Sequence, residues 1–196
     1  SDLVVFAGEG RAFSAGFDLS GLGQQSDADL LCRFVRVEQL LQMIYQLPMT
    51  SVALVQGRCF GAAADIVASC RKRIATPDAS FRMPGLQFGI VLGTRRLARL
   101  IGDDAAFDLL ETSRIFTADD ALEVGFLTDI QSAEDWASHI DKLAIDAGNL
   151  GDDAKTALLA AMRDDSGLDH DLAALVRSAA KPGLADRVRA FVATQI

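Results

Sequence analysis

The chain of 196 residues has only two histidines, His139 and His170, and both lie far from its glycine-rich motifs. With so few imidazoles, a metal centre or a histidine-activated nucleophile gains little support. Cysteine is almost as scarce: Cys32, Cys59 and Cys70 are odd in number and form no CxxC pair. Buried thiols in a reducing compartment, and so a cytoplasmic protein, fit that pattern better than disulfides. No apolar run approaches the ~18 residues of a membrane span. The N-terminal residues show no basic stretch leading into an apolar one, so neither a membrane span nor a signal peptide is expected. Positive charge is in deficit. Lys and Arg number 19 against 27 acidic residues, and the net charge of −8 argues against nucleic acid as a partner. Two local basic clusters, Arg71-Lys72-Arg73 and Arg95, Arg96 and Arg99, read first as solvated surface.

Half of the residues are hydrophobic, enough for a sizeable core without staples. "DLVVFAG" (Asp2–Gly8) predicts a short buried strand ending at glycine. A buried strand needs neighbours on both sides, so the chain is expected to begin in mid-fold. A glycine-rich loop, "GEGRAFSAGFDLSGLG", follows over Gly8–Gly23. Ser26 and its acidic neighbours then predict a helix N-cap. The helix runs to about Gln46 with Leu30, Leu31, Phe34, Val37, Leu41 and Ile44 on one face, and Pro48 stops it. Further strands are predicted over Thr50–Gly57, Arg71–Thr76, Ala79–Pro84 and Phe126–Ile130. Helices are predicted over Ala62–Cys70, Thr94–Leu100, Asp104–Glu111 and Ala118–Val124. Everything from Ser132 onward reads helical. Strand–loop–helix units followed by a helical tail imply an α/β core, 1–130, with a helical extension, 131–196.

Two turns stand out chemically. "FGAAAD" (Phe60–Asp65) and "FSAGFD" (Phe13–Asp18) each follow a strand and lead towards a helix, whose start carries free N–H groups and partial positive charge. Tiny side chains in the first would let a carbonyl oxygen come close, and Gly16 in the second could aim the N–H of Phe17. Two backbone donors converging on one oxygen form an oxyanion hole. The competing reading of each turn is structural: a helix packed closely on a strand, and a tight turn.

The order of the motifs decides more than either turn alone. "GRAFSAGFDL", "PMTSVALVQGRCFGAAADIVASC", "RIATPDASFRMPGLQFGI", "GTRRLARLIG" and "RIFTADDALEVGFLTDI" together resemble the crotonase superfamily, the enoyl-CoA hydratase/isomerase family, over about residues 2 to 130. The resemblance implies an α/β spiral of ββα units, the ClpP/crotonase fold, with a helical C-terminal region that serves trimerisation and covers the acyl pocket. It implies that the family's first turn is missing here. It implies oxyanion donors at the backbone N–H groups of Phe17 and Ala62, and an acyl-CoA strip along Ala15, Phe17, Asp18, Leu19 and Ser20. The implied partners are an acyl-CoA thioester and copies of the same chain, as a homotrimer or dimer of trimers. No metal and no dissociable cofactor are implied, since coenzyme A arrives as part of the substrate.

Hydratases of this family carry two glutamates that activate water. Here Asp65 stands in place of the first, and Gly85 occupies the second position with no carboxylate at all. Paired acid–base chemistry needs both groups within hydrogen-bond reach, so ordinary hydration is not expected. Asp65 could shuttle a proton alone, as in a one-acid isomerase, or merely satisfy a helix dipole. A decarboxylase needs no base, because loss of CO₂ itself makes the enolate. Glu111 reads as a surface residue, Gln87 could hold a water but not take a proton, and Phe17 could narrow the acyl pocket. Arg95 and Arg96 could meet a phosphate or carboxylate, though solvent or a subunit contact is the simpler expectation. A catalytically silent acyl-CoA-binding or assembly protein is the remaining alternative.

Overall fold

A computed structural model describes residues 3–162 and 165–194. Asp2 and the end of the tail therefore lie outside the described residues. The chain opens with β1 (Leu3–Ala7), passes through the glycine-rich loop, and enters α1 (Asp27–Tyr45). Two strand–strand–helix units follow: β2 (Thr50–Val55), β3 (Arg58–Phe60) and α2 (Ala62–Ser69), then β4 (Lys72–Ala75), β5 (Ser80–Arg82) and α3 (Thr94–Ile101). Next come α4 (Asp103–Thr112), β6 (Phe116–Thr117), α5 (Ala118–Glu123) and β7 (Asp129–Ile130). The tail holds α6 (Trp136–Gly148), α7 (Asp152–Met162), α8 (Leu168–Ala179) and α9 (Leu184–Ala193).

Each unit sends one strand to each of two sheets, in the orders β1-β2-β4-β7 and β3-β5-β6. The first sheet is parallel throughout, and β3 pairs with β5 in parallel with Phe60 opposite Arg82. The loop after β1 imitates the missing second strand of its unit. Ser14 bridges Cys59 in parallel, its N–H donating to Arg58 O at 3.3 Å while Phe60 N–H donates to Ser14 O at 3.2 Å. This bridge brings the two small-residue turns side by side.

The ends of α1 follow from local chemistry. Ser26 and Asp29 form a reciprocal capping box, and Asp29 and Asp27 fill the first turn. Its apolar face packs as expected at Leu30, Phe34, Leu41 and Ile44, while Leu31 and Val37 are only partly buried. Glu38 is buried among them, 1% exposed.

Several expectations need correction. β1 pairs with β2 among the described residues, and Val5 is 40% exposed, so the strand is only partly buried. β3 and β6 were not anticipated, and the strand expected over 126–130 shrinks to Asp129–Ile130. Cys59 and Cys70 are buried thiols, but Cys32 is exposed. The basic clusters are not simply solvated surface. Arg73 is buried and donates to Phe126 O at 2.6 Å and Cys70 O at 2.9 Å, and Arg96 is 5% exposed. Carbonyls and carboxylates supplied by other segments repay their desolvation. No helix among the described residues is long and apolar enough to cross a membrane.

Candidate functional site

A cavity of about 310 Å³ opens where the two turns, the 85–92 loop and α9 meet. Its wall is apolar over much of its area, with Phe34, Met83, Phe88, Ile90, Val188 and Phe191 among the contributors. A pocket of that size and character suits one small acyl group. Ala15, Phe17, Leu19, Ala62, Asp65 and Gly85 all line it, so the structure gathers most of the residues singled out in the sequence.

The two turns touch through backbone. Gly16 has φ +91°, and a Cβ there would fall 2.4 Å from Phe60 O and 3.1 Å from Ala62 N. Only glycine fits, because both the angle and the closeness exclude a side chain. The consequence is that Phe17 follows directly on a residue packed against Ala62. Among the described residues, neither the Phe17 nor the Ala62 N–H donates a hydrogen bond, whereas the neighbouring Gly61 N–H donates to Arg82 O at 2.7 Å. Ala62 is the first residue of α2, so its N–H is free by construction and sits at the positive end of the helix dipole. The Phe17 ring stacks on Phe34 at 4.3 Å, with the Arg33 guanidinium 4.4 Å from its centroid. It is both a cavity wall and a packing residue.

Asp65 lies three residues after Ala62, hence on the same face of α2. It is 4% exposed, and its Oδ1 is buried without a partner among the described residues. Burial pushes its pKa up to about 8, Arg96 opposing the shift and Glu38 adding to it. At neutral pH the group is therefore mostly a neutral acid. Gly93, the N-cap of α3 at φ +64°, leaves room for it: a Cβ there would lie 1.9 Å from Asp65 Oδ1. Thr94 lines the same cavity, and its Oγ1 is also buried with no partner among the described residues.

Behind Asp65 lies a buried ion-pair network. Arg96 donates to Glu38 Oε2 at 2.6 Å and Oε1 at 2.9 Å, and reaches Asp171 at 3.5 Å. Arg95 holds Asp171 through two hydrogen bonds of 2.9 and 3.0 Å. Arg95 and Arg96 thus both pair with carboxylates of the same chain, Arg96 deep inside and Arg95 partly exposed.

The other candidates fall elsewhere. Asp18 accepts from Ser20 N–H at 2.8 Å and Oγ at 2.9 Å, which lowers its pKa, and neither residue lines this cavity. Asp18 lines a second cavity, with Arg33 and Arg36, that shares Phe17 and Ala62 with the first. Gln87 is exposed and accepts from Arg82 at 3.3 Å, and Glu111 is exposed outside the cavity. Sequence reasoning missed Thr94, Glu38, Arg58 and Arg82. Only Glu38, a charge on the apolar stripe of α1, left a signal.

The family model described as enoyl-CoA hydratase/isomerase matches residues 2–176. The chain belongs to that family. It is 32% identical over 145 residues to a Bacillus subtilis protein named "Probable enoyl-CoA hydratase", covering 71% of this chain and 55% of that one. It is 31% identical over 138 residues to the ethylmalonyl-CoA decarboxylase of Bos taurus, covering 67% and 44%. The chain thus spans about half the length of these curated relatives. A solved Bordetella parapertussis structure assigned to the enoyl-CoA hydratases/isomerases superposes with a TM-score of 0.95 at 47% identity, covering 98% of this chain and 80% of that one. A Bacillus halodurans enoyl-CoA hydratase, at 22% identity and a TM-score of 0.83 over 96% of this chain and 81% of that one, shares the fold. The spiral of strand–strand–helix units is the crotonase fold.

Proposed function

We propose that the cavity holds the acyl group of a coenzyme A thioester, with the Phe17 and Ala62 N–H groups donating to its carbonyl oxygen. As an enolate forms, negative charge gathers on that oxygen, and preorganised donors stabilise it; one such donor is worth about 3–4 kcal/mol. Asp65, at the Ala62 end of the same wall, transfers the single proton. The observation that carries this reading is the pair of N–H groups on adjacent turns that donate to nothing among the described residues, beside a buried carboxyl whose Oδ1 has no partner there. Ala15, Leu19 and the Asp18–Ser20 turn form the strip leading to the donors. Coenzyme A enters as part of the substrate, and no metal or dissociable cofactor is invoked.

A one-acid reaction follows from Gly85. It lines the cavity without a carboxylate, and a Cβ there would already meet Ile90 O at 3.1 Å. Crotonyl-CoA, a 3-enoyl-CoA and a malonyl-type thioester offered in parallel to the wild type and to Asp65→Asn test the reading. Turnover of the second or third, lost in the variant, is expected. Hydration of crotonyl-CoA at ordinary rates would show that one acid suffices for water addition, and unchanged turnover by Asp65→Asn would remove Asp65 from the mechanism.

A second reading within this chemistry is decarboxylation, favoured by the raised pKa of Asp65. A neutral acid cannot abstract a proton, but it can deliver one. The bond from the α-carbon to the carboxyl breaks, its electron pair passes to the thioester oxygen as CO₂ leaves, and Asp65 protonates the α-carbon. The named activity of the Bos taurus relative is of this type.

Assembly into trimers is part of the proposal. α6 has no fully buried residue and α7 only Lys155, while Ile145, Leu150, Leu158 and Met162 are exposed. Sedimentation of the full-length protein as a monomer at micromolar concentration would contradict it. The free thiols fit a reducing, cytoplasmic setting.

A further inference from the structure

Two guanidinium groups share the wall of the acyl cavity, and nothing proposed so far uses them. Arg58 lies on β3 and Arg82 on β5. The parallel register sets Arg58 opposite Ser80 and Phe60 opposite Arg82. Alternation along each strand then places Arg58, Phe60 and Arg82 on one face, with Arg82 beside Phe60 and Arg58 two residues before Phe60 on the same strand.

Their environments differ. Arg82 is braced: its Nε donates to Ser113 O at 2.9 Å and its Nη2 to Gln87 Oε1 at 3.3 Å. Its own backbone carbonyl receives the Gly61 N–H, one residue before Ala62. Arg58 is exposed at the cavity, and its guanidinium makes no hydrogen bond or ion pair among the described residues. Asp65 is the only acidic residue on this wall among the described residues, and it is mostly neutral at pH 7. A protein with net charge −8 thus lines its acyl cavity with positive charge. A plain alkyl chain would not use those charges. A carboxylate would pair with a guanidinium by charge-assisted hydrogen bonds, strengthened beside an apolar wall.

We propose that Arg58, backed by Arg82, binds a carboxylate carried on the acyl group, so that the substrate is a carboxylated acyl thioester. This rests on the reading of the cavity as an acyl-thioester site and adds the substrate class to it. The carboxylate could sit on the α-carbon or at the far end of the chain, and the same guanidinium chemistry would recognise either.

Calorimetry on the full-length protein separates the cases with three probes: ethylmalonyl-CoA, with an α-carboxylate; glutaryl-CoA, with a terminal one; and butyryl-CoA, with none. At least one carboxylated probe is expected to bind about tenfold more tightly than butyryl-CoA, as one charged hydrogen bond predicts. Arg58→Met keeps much of the aliphatic stem and should abolish that ratio, while Arg58→Lys should keep part of it. Preference for ethylmalonyl-CoA places the carboxylate at the reacting carbon, and preference for glutaryl-CoA places it at the chain end. Equal binding of all three probes, or an equal loss for all three in Arg58→Met at unchanged melting temperature, overturns the proposal; the second outcome assigns Arg58 to the coenzyme A moiety. If none of the probes binds, the acyl-thioester reading itself fails, and this inference with it.

Discussion

Gly93→Ala tests the placement of Asp65 without any substrate. Two costs are expected. The position has φ +64°, and a left-handed conformation costs a residue with a Cβ about 1–2 kcal/mol. The new methyl group would also lie 1.9 Å from Asp65 Oδ1 and 2.9 Å from its Cγ, so the carboxyl must give up its buried place on the cavity wall. Overpacking of this kind costs about 1–3 kcal/mol. Equilibrium urea unfolding at pH 7 should therefore show Gly93→Ala destabilised by roughly 2–5 kcal/mol. The same substitution in an Asp65→Ala background should cost only ~1–2 kcal/mol. There Oδ1 and Cγ are gone, and the remaining Cβ is 3.5 Å away, an ordinary contact. The difference is the coupling between the two positions, read from a double-mutant cycle. If Gly93→Ala costs the same in both backgrounds, the carboxyl does not rest against the start of α3, and the account of why it is buried and unpaired fails.

Three further substitutions probe the same site. Asp65→Asn should lower turnover about 10²–10⁴-fold; where Asp65 only delivers a proton, as in decarboxylation, wild-type turnover should hold up to about pH 8 and fall above it, whereas in isomerisation, where it must first take one, turnover should rise towards pH 8, and the variant's profile lacks either step. The stability profile has one sign in either case. A pKa raised from 3.8 to about 8 means the native state binds the extra proton, so stability present below 3.8 is lost as pH rises towards 8, and Asp65→Asn should flatten that slope in urea titrations. Thr94→Val removes a buried hydroxyl that has no partner among the described residues, so the urea midpoint should stay or rise. Its turnover should drop about tenfold if the hydroxyl meets a reacting oxygen, with recovery in Thr94→Ser, and an unchanged rate in Thr94→Val would leave that hydroxyl no part in the reaction. Arg96→Met strands Glu38 as a buried charge and should cost about 3–5 kcal/mol, whereas a paired Glu38→Met/Arg96→Met variant should recover most of that loss. An additive pair would show that Glu38 and Arg96 do not depend on one another.

What was legible in the sequence was local. Ser26 with Asp29 announced the start of α1, and Pro48 its limit. The small residues of Phe60–Asp65 pointed to a bared helix start, and Asp65 does turn into the cavity there. Non-local features escaped. β3 and β6 have three and two residues, too short for a period-2 pattern, and exist only through partners supplied by β5. Arg96 looked like surface because its counter-charges, Glu38 and Asp171, come from 58 and 75 residues away. Arg58 gave no signal in the sequence, because only the strand register puts it on one face with Arg82.

The same long-range pairing explains how the helical tail contributes to the cavity rather than merely lying on the core. Asp27, in the first turn of α1, accepts the N–H groups of Gly183 and Ala185 at 2.8 Å each, which pins the start of α9 and lowers the aspartate's pKa. Val188 and Phe191 then project from α9 into the cavity wall, and Val188 joins Leu30, Phe34 and Ile90 in one apolar cluster. Arg187 on the same helix donates to Phe88 O at 3.1 Å, and Ser178 on α8 accepts the Val91 N–H at 3.0 Å. The 85–92 loop, which contributes Gly85 where a second acid would stand, is thus held from outside by α8 and α9. Its shape is set by residues about ninety positions downstream. A carboxylate placed at position 85 alone would sit on a loop shaped by those helices around an uncharged residue. For that reason restoring hydratase chemistry should require changes in the loop and in α9 together.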